Sequence, residues 1–191
     1  MDPQYEQQLV DRAKEDSLAF AELYDHYYKP IFNYILRSCV NLHIAEDLTA
    51  DTFFSALDKL NTFKWRDGAR FSSWLYRIAT NKVYEYFRKG KNYRFKPSSE
   101  IEQFYNMGAT DNEIREAENE INKSQTFKAI YPLISKMDIK YQTIINLYYF
   151  EGMDYITISQ ITGIKIGTLK SHLSRALAKL QKSVEKMQLI I

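Results

Sequence analysis

The sequence predicts an all-α protein made of two small helical domains joined by a flexible linker, the second domain containing a helix-turn-helix. Glycine and proline number only 6 and 4 in 191 residues, which favours long helices over turn-rich β architecture. Apolar residues recur at helical steps of three and four on both sides of an acidic stretch that lacks this period. The predicted divisions are an N-terminal domain at 5–92, an acidic linker at 93–120 and a C-terminal domain at 121–188.

Composition excludes several classes of protein. The lone Cys39 cannot form an intramolecular disulfide and is predicted to be a core thiol, and the scattered His26, His43 and His172 have no metal-ligand spacing. Neither a phosphate-binding glycine loop nor a nucleophile-base arrangement is present, so an enzyme is not expected, and no cofactor. No run approaches the roughly 20 apolar residues that span a membrane, so we expect a cytoplasmic protein without membrane insertion.

Charge is strongly segregated along the chain. Residues 64–97 carry ten basic and two acidic side chains, and residues 165–191 carry six basic and one acidic. Between these two basic blocks, residues 98–120 carry seven acidic side chains and one basic. Two basic blocks separated by an acidic one indicate two contacts with a polyanion.

The first domain begins with helical patterning. Residues 17–41 have apolar side chains at helical steps interrupted by Pro30, which predicts one or two packed helices. A further helix is predicted to begin at Ala45-Glu46-Asp47, with its acidic residues outside a single buried stripe. That stripe contains Leu48, Phe53, Ala56, Leu57 and Leu60.

The central basic block interleaves cations with aromatic residues. Residues 63–71 fit no period and are predicted to form a loop, and a strong helix follows with Ser72 as its N-cap. Aromatic faces stack on unpaired bases while cations follow phosphates, so this arrangement favours single-stranded nucleic acid. The outward stripe of the helix is predicted to contain Arg77, Asn81, Tyr84 and Arg88. The alternative is that Phe71, Trp74 and Tyr86 are simply core residues.

Residues 154–175 have the spacing of a helix-turn-helix. Asp154 can cap the first helix, and Gly163 can adopt the left-handed conformation of the turn. Leu169, Leu173, Ala176 and Leu180 form the predicted buried stripe of the second helix. The opposite face offers Ser171, Ser174 and Arg175 flanked by Lys170, a set of small hydroxyls and cations that suits a major groove. The alternative is a helical hairpin with a solvated basic face.

Three segments in this order resemble the sigma factors of RNA polymerase, specifically the small extracytoplasmic-function group, over almost the whole chain. Residues 45–53 (AEDLTADTF) are similar to that family's polymerase-clamp-binding helix, and 71–81 (FSSWLYRIATN) to its −10 element helix. Residues 151–155 (EGMDY) and 167–176 (GTLKSHLSRA) are similar to its −35 helix-turn-helix. Ala50 and His172 stand where the family often has Gln and Arg.

The resemblance implies a role for each segment. RNA polymerase core would be bound by Glu46, Asp47, Ala50 and Asp51. The unpaired −10 strand would be bound by Phe63, Lys64, Trp65, Arg66, Arg70, Phe71, Arg77, Asn81, Tyr84 and Arg88. The −35 duplex would be bound by Lys165, Thr168, Lys170, Ser171, His172, Ser174 and Arg175. The implied partners are core polymerase, promoter DNA and an anti-sigma factor.

Two other classes remain open from the residues alone. An ordinary helix-turn-helix regulator with an N-terminal sensor or dimerisation domain explains residues 154–180 equally well. It does not explain the basic-aromatic helix and loop. A helical adaptor that binds only protein would make both basic faces incidental.

Overall fold

The structure, a computed structural model, describes residues 1–65, 70–89 and 125–188, except for the side chains of 125–129 and 186–188. The N-terminal module contains α1 (Pro3–Ala13), α2 (Ser17–Cys39), α3 (Leu42–Lys59), a 3-10 turn (Leu60–Thr62) and α4 (Phe71–Lys89). The C-terminal module contains α5 (Gln125–Ile134), α6 (Ile139–Ile145), a π-helical turn (Asn146–Phe150), α7 (Tyr155–Thr162) and α8 (Ile166–Gln188). The described elements are all helical, as predicted, and the predicted linker at 93–120 lies outside the described residues.

Helix α1 was not identified from the sequence. Asp2 caps it by accepting hydrogen bonds from the backbone N–H groups of Gln4 at 3.0 Å and Tyr5 at 3.1 Å, and Pro3 occupies its first position. An aspartate followed by proline is a standard helix start, because proline needs no hydrogen-bond acceptor there. Leu9 and Val10 are fully buried against the other helices.

Helix α2 continues through Pro30, so of the one or two helices predicted for this segment the structure has one. Proline removes the N–H that would bond to the carbonyl of His26, four residues earlier. Both Pro30 and His26 are exposed, so water can satisfy that carbonyl. The opposite face is buried at Leu23, Ile31 and Ile35, and this packing holds the helix together.

Helices α3 and α4 begin earlier than predicted. Asn41 caps α3 through a 3.0 Å bond from the Ile44 N–H, which places the start of the helix before Ala45. Helix α4 begins at Phe71, so Ser72 lies within its first turn and is not its N-cap. The cap bond comes instead from α1, because the Glu6 carboxylate accepts the backbone N–H of Ser72 at 3.2 Å.

The helix-turn-helix has the predicted form. Asp154 caps α7 by accepting the Thr157 N–H at 2.7 Å, and Gly163 ends that helix in the left-handed region with φ of 71°. Leu169, Leu173 and Ala176 are buried, which confirms the apolar stripe of α8. None of the helices among the described residues has the length and apolar content to cross a membrane.

Glu6 is a buried carboxylate that ties three helices together. Its Oε1 accepts the Tyr27 hydroxyl of α2 at 2.5 Å in addition to the Ser72 N–H of α4. Burial, followed by the hydrogen bond to Glu6, raises the pKa of Tyr27 above its ordinary value, which keeps the hydroxyl protonated as a donor.

Replacing Glu6 should therefore destabilise the N-terminal module. We expect Glu6→Ala to lower the free energy of unfolding by about 2 kcal/mol, because two buried donors lose their acceptor. Urea denaturation followed by circular dichroism measures this change. The control is Glu22→Ala, which removes an exposed carboxylate bonded to the Tyr5 hydroxyl and should have little effect. Equal losses in the two variants would contradict the role of Glu6.

Candidate nucleic-acid interface

Helix α4 presents part of its predicted stripe to solvent. Arg77, Asn81 and Arg88 are exposed, so their side chains are free to meet a ligand. Tyr84 is half-buried instead, with burial raising the pKa of its hydroxyl and Thr143 of the C-terminal module close to it. The structure thus brings three of the four predicted residues to one accessible face.

Two aromatic residues at the ends of the predicted loop belong to the core. Phe63 and Phe71 are 7% and 1% exposed, and their ring centroids lie 5.8 Å apart. Both pack against Trp74, at 5.0 and 5.5 Å. The predicted direct base contact by Phe63 and Phe71 does not fit this structure, because a buried ring has no free face. Trp74 packs against the core, in agreement with the alternative interpretation.

Trp65 is the aromatic residue of this segment that remains partly accessible. Its ring lies 5.1 Å from Phe63 in an edge-to-face arrangement, and its indole Nε1 has no hydrogen-bond partner among the described residues. Lys64, which precedes it in the chain, and Arg70 are exposed, and Arg66 lies outside the described residues. A half-covered indole can stack on a base, while exposed cations can meet phosphates.

The outer face of α8 carries the predicted duplex-reading residues together. Those that are exposed are Lys165, Thr168, Lys170, Ser171, Ser174 and Arg175. His172 is half-buried, its ring 5.3 Å from that of Tyr141. The cations lie near the start of α8, as in recognition helices whose first turns contact base edges.

A groove beside this face was not predicted. Tyr148, Tyr149 and Tyr155 line an open cavity of about 450 Å³ together with Lys170 and Leu177. Lys170 Nζ lies 5.5 Å from the centre of the Tyr155 ring, a cation–π distance. The cluster arises because the π-helical turn brings 148 and 149 against α7 and α8, which local periodicity cannot indicate.

Helix α3 presents an acidic face on the same module as α4. Glu46, Asp47, Ala50 and Asp51 are all exposed, and Asp51 pairs with Lys82 of α4 at 3.6 Å. Phe54 and Leu57 are 74% and 48% exposed on this helix. The placement of Leu57 in the buried stripe is therefore wrong. The sequence analysis did not predict Phe54 as an exposed residue of this face, although it lies three residues after Asp51 and four residues after Ala50.

The described residues contain no candidate metal site. No three His, Cys, Asp or Glu side chains cluster there at metal-binding distance. Cys39 is buried, and burial raises the pKa of its thiol to about 11, so it is protonated at neutral pH. The predicted core thiol is confirmed.

Comparison with known families matches both modules. The model for Sigma-70 region 2 matches residues 23–93, and the model for Sigma-70, region 4 matches residues 127–180. Two matches in this order account for the basic-aromatic helix as well as the helix-turn-helix. An ordinary helix-turn-helix regulator is therefore not favoured.

Relatives and solved structures agree with these matches. The chain is 30% identical over 178 residues to the ECF RNA polymerase sigma factor SigW of Bacillus subtilis, covering 91% of this chain and 93% of the relative. It is 29% identical over 165 residues to the RNA polymerase sigma factor YlaC of the same organism, covering 86% and 91%. The structure of CnrH in complex with the cytosolic domain of CnrY has a similar fold, with a TM-score of 0.68 at 19% identity over 95% of this chain and 97% of that one.

A second solved structure, the sigma factor RpoE with the anti-sigma factor NepR from Bartonella quintana, has a TM-score of 0.59 at 19% identity over 87% of this chain and 96% of that one. Together the fold, the two basic faces and the family matches define a two-module promoter-recognition protein. The chain belongs to the sigma-70 family of RNA polymerase sigma factors, in its extracytoplasmic-function group. Proteins of this kind direct RNA polymerase to promoters.

Proposed function

We propose that the two modules divide promoter recognition between unpaired and paired DNA while α3 binds polymerase. The observation that carries this proposal is the segregation of exposed charge: cations on the outer faces of α4 and α8, and carboxylates on the outer face of α3. Surfaces of opposite sign on one small protein favour different partners, because each attracts the complementary potential.

Helix α3 is the proposed polymerase-binding element. Asp47 and Asp51 offer carboxylates to a basic surface, with Glu46 and Ala50 beside them. Exposed Phe54 adds an apolar anchor on the same helix, and an apolar side chain inside a charged rim is the usual anatomy of a protein interface.

The segment from 63 to 88 is the proposed binding site for the unpaired −10 strand. Trp65 would stack on a base, and Lys64, Arg70, Arg77 and Arg88 would follow the phosphates, with Asn81 able to hydrogen-bond a base edge. Strand separation would be driven by trapping of unpaired bases without any catalytic step, since stacking and phosphate contacts are made with the open strand.

The outer face of α8 is the proposed −35 reader. Lys170, Ser171, Ser174 and Arg175 would enter the major groove, with Lys165 and Thr168 near the helix start and half-buried His172 at the edge. The protein would act beside the bacterial polymerase in the cytoplasm. An anti-sigma factor is a further proposed partner, supported by the solved complexes of CnrH and RpoE, which share this fold.

Run-off transcription tests the proposal as a whole. Core polymerase should give a specific transcript with this protein and none without it. The variant Asp47→Arg with Asp51→Arg should abolish the transcript and core association, because reversed charges repel a basic surface. The matched control reverses two exposed carboxylates of α2, Glu22→Arg with Asp25→Arg, and should keep activity. Absence of any specific transcript with the native protein, across genomic promoter fragments, would refute the proposal.

The −35 assignment has its own test. Lys170→Ala with Arg175→Ala should weaken holoenzyme binding to a promoter duplex by about tenfold to a hundredfold, and should flatten its salt dependence, because each lost phosphate contact releases one fewer counterion. Filter binding over a series of salt concentrations measures both quantities. Lys136→Ala with Lys182→Ala removes two exposed cations of the same module elsewhere and serves as the control. An equal loss on a promoter lacking the −35 element would show that the two residues supply charge without reading sequence.

Trp65 is expected to act at strand opening. Trp65→Ala should reduce permanganate reactivity of −10 thymines by about tenfold, because stacking on one base contributes about 1–3 kcal/mol. Binding to the closed −35 duplex should change little. Tyr5→Ala, which removes an exposed aromatic side chain of the same module, is the control. Parallel loss of duplex binding and opening in Trp65→Ala would contradict a specific role in the open strand.

A further inference from the structure

Lys170 of the recognition helix lies over an aromatic ring that belongs to the preceding helix. Its Nζ is 5.5 Å from the centre of the Tyr155 ring, which is within the range of a cation–π contact. Lys170 is nevertheless exposed, so its ammonium keeps N–H donors available to a ligand. The contact therefore restrains the cation without removing it from the surface of α8.

The position of the Tyr155 ring is fixed by two neighbouring elements. Tyr155 is the first residue of α7 and directly follows Asp154, whose carboxylate caps the helix by accepting the Thr157 N–H at 2.7 Å. Its ring stacks on that of Tyr148, with centroids 5.1 Å apart and an angle of 27° between the planes. Tyr148 is half-buried and lies in the π-helical turn. The helix cap and the π-helical turn together place the ring beside α8.

Tyr155 presents a neutral ring to Lys170. Desolvation, followed by a hydrogen bond with Tyr148, raises the pKa of Tyr155 above its ordinary value, so the hydroxyl stays protonated at neutral pH. An uncharged phenol attracts a cation through the negative face of its ring. The contact with Lys170 thus depends on the aromatic ring and does not require the hydroxyl.

A lysine gains more from such support than an arginine does. The ammonium of lysine sits on a flexible four-carbon stem, whereas the guanidinium of Arg175 is a planar fork that is already organised for hydrogen bonding. A lysine that moves freely loses much conformational freedom when it is fixed on one base, and restraint before binding reduces this loss. When its ammonium does reach a base edge, its preferred acceptors are O6 and N7 of guanine.

We propose that Tyr155 is a positioning residue for promoter recognition: its ring, stacked on Tyr148, orients the Lys170 ammonium toward a base edge of the −35 duplex. The inference rests on the proposed −35 role of the outer face of α8. It adds that Lys170 discriminates between sequences, whereas a lysine without this restraint supplies charge alone. Loss of the ring leaves the charge of Lys170 in place, so sequence discrimination and salt dependence should respond differently.

Holoenzyme binding to promoter duplexes, measured by filter binding, separates these two properties. Tyr155→Leu should weaken binding to a duplex that carries the −35 element by about twofold to fivefold, the range expected for an exposed cation–π contact. The slope of affinity against salt concentration should stay native, because the cation remains and releases the same counterions. Binding to a duplex without the −35 element should also stay native. A flattened salt slope with unchanged discrimination would overturn the proposal.

Two further variants identify the part of the groove that matters. Tyr155→Phe keeps the ring without the hydroxyl and should retain native discrimination. A loss in Tyr155→Phe as large as in Tyr155→Leu would overturn the proposal, because it would assign the effect to the hydroxyl. Tyr149→Leu is the matched control, since Tyr149 is a 52% exposed tyrosine of the same groove whose ring contacts Tyr148. It should change neither discrimination nor salt slope, and a loss equal to that of Tyr155→Leu would contradict a specific role of Tyr155.

A double-mutant cycle separates positioning from damage to the fold. Lys170→Met removes the ammonium while keeping an unbranched side chain. In that background Tyr155→Leu should cause no further loss of duplex binding, because the cation that the ring positions is already absent. If Tyr155→Leu weakened binding equally with and without the Lys170 ammonium, it would act on the module as a whole, and the proposal would be wrong.

NMR of the full chain tests the contact without DNA or polymerase. Protons above the face of an aromatic ring are shielded, so the ε-methylene protons of Lys170 should resonate upfield of those of Lys182, an exposed lysine of the same helix. The displacement should vanish in Tyr155→Leu and persist in Tyr155→Phe, and its absence from the native chain would overturn the proposal. Failure of the proposed function appears differently, as duplex binding that neither Lys170→Met nor Tyr155→Leu changes while the displacement is observed.

Discussion

The structure depends on one constraint: the apolar stripe of each described helix has to be buried against another element. A helix has 3.6 residues per turn, so its apolar stripe occupies one side and the remaining positions must be wetted or covered by another element. In α8 the stripe through Leu169, Leu173 and Ala176 is buried, which leaves Lys170 and Arg175 outward. The basic recognition surface is therefore a direct consequence of how the core of this module is built.

Polar side chains determine where these helices begin. Some cap a helix from the preceding residue, and one does so from a distant helix. Asn41 and Asp154 cap their own helices from the preceding residue. Glu6 bonds the first turn of α4 from a helix 66 residues earlier in the chain. Because the same carboxylate holds Tyr27 of α2, the start of the proposed −10 helix is tied to the core of the N-terminal module and not to local sequence alone.

Charged side chains also differ in whether they stay exposed or pair with a residue that is distant in the chain. Exposed Asp47 and the exposed cations of α4 belong to different helices of the N-terminal module, although Asp51 of α3 pairs with Lys82 of α4. Glu151 is different, because its charge is satisfied by Arg37 across the two modules. Tyr76 of α4 donates to the same carboxylate, so Glu151 contacts two helices of the N-terminal module.

The sequence alone was sufficient for the class of fold, the helix-turn-helix and the exposed residues of α8, because helical period and caps such as Asp154 and Gly163 act within a few residues. Tertiary structure decided the burial of Phe63 and Phe71, the exposure of Phe54 and Leu57, the continuity of α2 through Pro30, and the partner of Glu151. Each of these depends on which helix lies opposite, and the neighbours are far away in the chain: Glu151 meets a side chain 114 residues distant. Local periodicity tells which side chains share a face of a helix, whereas only packing determines what covers that face.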